Sequence, residues 1–110
     1  MKELAKLIRK GLESGVNEDK LSWGIVDEPG DRSANVIGLA LIGKVGFDRA
    51  RALINAAFEE LAEEGPATEE VARQLGVDIE HCEALVAAYF RMSASEIADS
   101  LEKGELLDPA

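Results

Sequence analysis

Between Ser33 and Gly46 the chain reads S-A-N-V-I-G-L-A-L-I-G-K-V-G, with Lys44 as its single charge. Apolar residues fall on every side of a helical wheel, so no face of such a helix suits water. About 14 residues of helix reach roughly 21 Å, short of the ~30 Å hydrocarbon core of a bilayer. The segment must therefore be enclosed by the rest of the chain or lie at a subunit interface. That requirement predicts an all-α fold, a compact bundle of five to six helices around this apolar central helix. The 110 residues fit one domain.

The wrapping can be read along the chain. Leu4, Leu7, Ile8 and Leu12 recur at spacings of three and four from Lys2 to Ser14, which predicts an amphipathic helix that Gly15 stops. Residues 16–32 have no helical period and contain the turn signal V-D-E-P-G-D, so a long ordered loop is expected there. Leu21, Trp23, Ile25 and Val26 would pin it, and the alternation of Leu21, Trp23 and Ile25 allows a short extended piece. Ser33 is expected to cap the central helix, with Asn35 a competing start. Gly38 would cost about 1 kcal/mol relative to Ala in a helix interior, so Gly38 and Gly43 should mark close helix contacts.

Further on, Ala50, Leu53, Ile54, Ala57, Phe58 and Leu61 form one apolar stripe over Asp48–Glu64, ended by Gly65 and Pro66. Thr68 should cap a helix whose inward side is Val71, Ala72 and Leu75, with Gly76 as its stop. Asp78 should cap Ile79–Arg91, with Ile79, Cys82, Leu85, Val86 and Tyr89 inward. Ser93 or Ser95 should cap a last helix closed by Gly104, and residues 105–110 should fray.

Two stretches in this half share a pattern. Val71, Ala72 and Leu75 recur 26 residues later as Ile97, Ala98 and Leu101, each set preceded by Glu. With Glu70-Val71-Ala72-Arg73-Gln74-Leu75-Gly76-Val77 followed by Ile79–Tyr89, the region 68–103 resembles bacterial helix-turn-helix units. The chain as a whole is similar to small bacterial and phage all-helical proteins. The helix-turn-helix resemblance implies either a transcriptional regulator that binds DNA or the same helix crossing used only for packing. The helix in the recognition position carries Asp78, Glu80, His81, Glu83 and Arg91, where Arg, Lys, Asn and Gln are expected to meet bases, which favours packing.

Charge points the same way. The net charge is −10, yet Met1–Arg51 carries nine basic and eight acidic residues, while Glu59–Glu83 carries nine acidic residues against Arg73 alone. An acidic surface repels nucleic acid and anionic lipid and attracts a basic protein; equally, the acids can simply keep a small protein in solution. The expectation is a non-enzymatic acidic interaction or regulatory module, its sharpest form an inhibitor or nucleic-acid mimic of the kind phages and mobile elements carry. Glu59, Glu60, Glu63, Glu64, Glu69, Glu70 and Trp23 are the residues expected to meet the partner. A symmetric homodimer with Gly38, Leu41 and Ile42 at its interface would help bury the central helix.

No catalytic or cofactor motif is expected to operate. Asp78 and His81 share a helix face, but one His and a capping Asp make a poor metal set. Cys82 follows His81 directly, and consecutive helical residues point about 100° apart, too far for a nucleophile and its base. One cysteine and an N-terminus without an uninterrupted apolar run fit a cytoplasmic protein.

Overall fold

The computed structural model describes residues 2–19, 25–29, 31–59 and 66–104. They form α1 (Lys2–Glu13), β1 (Asn17–Glu18), β2 (Ile25–Glu28), β3 (Asp31–Ala34), α2 (Val36–Val45), α3 (Phe47–Glu59), α4 (Pro66–Leu75), α5 (Ile79–Tyr89) and α6 (Ala94–Lys103). The fold is mostly helical, as the sequence predicts, with one small sheet. None of the described helices is long and apolar enough to cross a membrane.

The central position belongs to α2. Val36, Leu39, Ala40 and Leu41 are fully enclosed, and α1, α3, α4 and α5 all pack against it. Its closest neighbour is α1, and glycines on both helices permit the approach. A Cβ at Gly43 would collide with the Leu7 carbonyl, and one at Gly11 with the backbone of Leu39. The expected close contact at Gly43 is thus made within the chain; its counterpart, Gly11, carried no signal because its partner was unknown. Gly38, Leu41 and Ile42, expected at an interface between copies, are buried by the chain's own elements.

The N-terminus of α2 falls to the competing start. Asn35 is the cap, its buried Oδ1 accepting from the Gly38 N–H at 2.9 Å. Ser33 lies instead in β3, because the segment before the helix is extended. The loop expected over 16–32 contains strands in the order β1-β3-β2. β1 runs parallel to β3, with Asn17 opposite Ser33, and β2 runs antiparallel to it, from Ile25 opposite Ala34 to Glu28 opposite Asp31. Pro29-Gly30, the strongest turn signal, falls between the paired ends of β2 and β3. Ile25 is buried as expected, whereas Leu21 and Trp23 lie outside the described residues.

Other boundaries shift by a residue or two. α3 begins at Phe47, with Asp48 in its first turn, after Gly46 turns the chain at φ +89°. The segment 60–65, where the stripe was expected to end, is outside the described residues. α4 starts at Pro66 instead of after Thr68, the ring's fixed φ suiting a first helical position whose N–H has no partner to lose. α5 ends at Tyr89, two residues short of Arg91. α6 has the Ser93 cap, its hydroxyl accepting from the Glu96 N–H at 3.1 Å while Glu96 returns the bond to the Ser93 N–H, also at 3.1 Å.

Side chains bind these layers together. Asp27 on β2 accepts from Arg51 on α3 at 2.6 Å, and the Arg32 guanidinium lies 4.4 Å from the Phe47 ring centre. On the other side Arg9 of α1 is forked onto Asp99 and Glu102 of α6.

Candidate functional site

The acidic region centres on α4, α5 and the turn between them. Val71, Ala72 and Leu75 are buried, which fixes α4 with Glu69 and Arg73 outward. After Leu75 the chain reverses at Gly76, φ +71°, where the Val77 N–H donates to the Ala72 carbonyl and the Gly76 N–H to that of Arg73, both at 3.1 Å. This pair of bonds is a Schellman closure, and the left-handed φ it requires is what glycine supplies. Val77 packs on the core, and Asp78 opens α5. The second copy of the pattern, Ile97, Ala98 and Leu101, is buried in the same way, so these apolar positions belong to the core in both copies.

Residues 66–89 hold five acids against Arg73. Arg73 is already paired with Glu70, which also accepts from the Gln74 amide at 2.9 Å. Glu69, Asp78, Glu80 and Glu83 are exposed and make no ion pair among the described residues. Of the residues expected to meet a partner, Glu69 is therefore presented to solvent, whereas Glu70 is partly buried and neutralised by Arg73. Glu60, Glu63, Glu64 and Trp23 lie outside the described residues, as does the side chain of Glu59.

The chemical candidates on α5 have other occupations. His81 turns back to its helix start, with Nδ1 accepting from the Asp78 N–H at 3.3 Å. Cys82 is half-buried, and desolvation, with the Glu83 charge adding to it, pushes its thiol up to about 11. It is held in the unreactive thiol form at neutral pH. Among the described residues no group of three His, Cys, Asp or Glu side chains is placed to hold a metal ion.

Two features escaped the pattern reading. Phe90 is 69 % exposed, the one large hydrophobic side chain among the described residues that faces solvent. Its position was legible, since a residue following Tyr89 on the buried stripe is rotated about 100° off it. The second is a polar joint between sheet and bundle. Glu18 of β1 accepts from the Ala94 N–H at 2.6 Å and so occupies the start of α6. Beside it sits the buried Tyr89 phenol, whose pKa is raised by burial first and by the Glu18 and Asp19 charges second. The Ser33 hydroxyl donates to Asp19 at 3.4 Å, closing the joint from β3. This union joins residues 76 apart, which no local pattern records.

No family model, curated protein or solved structure matches the chain.

Proposed function

We propose that the protein is a small acidic interaction module that works by contact, meeting the basic surface of a partner protein through its acidic α4–α5 side. The observation that carries this reading is the exposed set Glu69, Asp78, Glu80 and Glu83, held on a hairpin whose single Arg is already paired. Fixed acids at the ends and along the outer sides of two short helices present a field of one sign. Such a field raises the encounter rate with a cationic groove and repels phosphate. In its sharpest form the module occupies a groove that otherwise holds nucleic acid. The acids of 59–64 adjoin this set in the sequence.

The test uses the full chain and an immobilised basic nuclease-type domain, with retention followed over a salt gradient. The wild-type chain should be retained at low ionic strength and released as salt rises. Charge reversal at Glu69, Glu80 and Glu83 should abolish retention. Unchanged retention of that variant overturns the module. Retention of the wild-type chain on duplex DNA at low salt, lost on changing His81 or Arg91, would replace it with the helix-turn-helix regulator.

A further inference from the structure

We propose that the outward face of α5 is a self-association surface, on which a second copy of the chain packs its own α5 antiparallel about a two-fold axis near Ala87. The helix has a buried apolar side and, beside exposed Glu80 and Glu83, a second apolar strip that faces solvent. Leu85, Ala88 and Tyr89 face the core, while Ala84, Ala87 and Phe90 are exposed, Phe90 by 69 %. A surface helix ordinarily carries polar side chains there. Two alanines on the exposed side also permit close approach of another helix.

Charge and size identify the occupant. Glu80 and Glu83 lie on the first half of the exposed face, and exposed Arg91 follows its end, where the Arg91 N–H still bonds the Ala88 carbonyl at 2.9 Å. Pairing about a two-fold axis at Ala87 sets Phe90 and Arg91, three and four residues after it, against the turn that holds Ala84 and Glu83, three and four residues before it. The large ring then meets a small residue, and the cation meets the acids. A parallel pairing would set Glu against Glu and Arg against Arg. At its Phe90 end this face presents Arg91 as well as acids and so complements its own copy, while Glu69 on α4 and Asp78 before α5 stay outside the contact and remain open to a basic partner. Such an interface is isologous and closes at two copies. One helix of about 16 Å makes a contact smaller than the standard ~1,600 Å² interface, so the dimer is weak and concentration-dependent.

Sedimentation equilibrium of the full chain tests this over roughly 10 μM to 1 mM. The mass should rise from 11.8 kDa toward twice that value. Phe90→Asp and Arg91→Glu should each remove most of the dimer while leaving the helical circular dichroism unchanged, because both positions are exposed. Adding Glu80→Arg and Glu83→Arg to Arg91→Glu should restore part of it. In a Cys82→Ser background, Ala87→Cys meets its own copy on the axis and should form an intermolecular disulfide with oxidised glutathione; Glu69→Cys should not. A monomer at every concentration overturns the proposal and leaves the face to another protein. A dimer indifferent to Phe90→Asp and Arg91→Glu, or equal cross-linking at positions 87 and 69, overturns it as well.

Discussion

Gly43 is one of two points, with Gly11, at which α2 and α1 come into backbone contact, and its missing side chain is what allows it. In an exposed helix interior, Gly to Ala stabilises by about 1 kcal/mol. Here the added methyl group would meet the Leu7 carbonyl, which belongs to backbone and cannot rotate away. Overpacking of this kind costs about 1–3 kcal/mol. Gly43→Ala and Gly11→Ala should each lower the urea midpoint of unfolding, and a raised midpoint for either would place the helices farther apart than described.

Tyr89 gives the residue scale a pH dependence. Its folded pKa lies above the ordinary value of 10.0, because burial and the carboxylates of Glu18 and Asp19 disfavour the phenolate. The unfolded chain therefore loses this proton first as pH rises. The associated stability is complete below about pH 10 and declines above it. Cys82, raised from 9.0 to about 11, acts with the same sign from a lower starting pH. Tyr89→Phe should flatten the fall in urea stability above pH 10, and Cys82→Ser the part that begins near pH 9. A steeper fall in the Tyr89→Phe variant would contradict the burial of the phenol.

Among the elements, the helices were legible and the strands were not. Gly15, Gly76 and Gly104 end helices because the chain there needs a positive φ, at +89°, +71° and +74°. Asp78 and Ser93 begin helices for the complementary reason, that a short polar side chain occupies a helix start. The strands Asn17–Glu18 and Asp31–Ala34 are short and polar, and their pairing is parallel, between residues sixteen apart in sequence. Neither alternation nor a run of β-branched residues announces them. The choice between Ser33 and Asn35 was left open by sequence for the same reason, since it depends on where β3 ends. Asn35→Ala should cost about 1–2 kcal/mol in thermal or urea unfolding, the upper part of the capping range, because the cap is buried. Ser33→Ala, which loses only a 3.4 Å contact to Asp19, should cost less. The reverse order would return the cap to Ser33.

At the scale of the whole molecule, charge follows the architecture. Ion pairs through Arg9 join α1 to α6, and an ion pair through Asp27 joins the β2–β3 hairpin to α3, so part of the charge in those parts ties one element to another. The α4–α5 side has one paired Arg and a surplus of exposed acids. The asymmetry was visible in sequence as a count. Only the structure separates Glu70, engaged by Arg73, from Glu69, which faces solvent.

Position at constant charge is therefore the most direct test of the interaction surface. Two triple variants can be compared, Glu69→Lys/Glu80→Lys/Glu83→Lys and Glu13→Lys/Glu28→Lys/Asp31→Lys, all at exposed positions, which carry the same net charge and differ only in where it is placed. Their Kd values for one basic nuclease-type domain, measured by fluorescence anisotropy at fixed low ionic strength, separate a local surface from a general polyanion. The first triple should bind at least tenfold more weakly than the second. Equal values would mean that total charge alone governs binding, and the α4–α5 side would have no claim to be the functional surface.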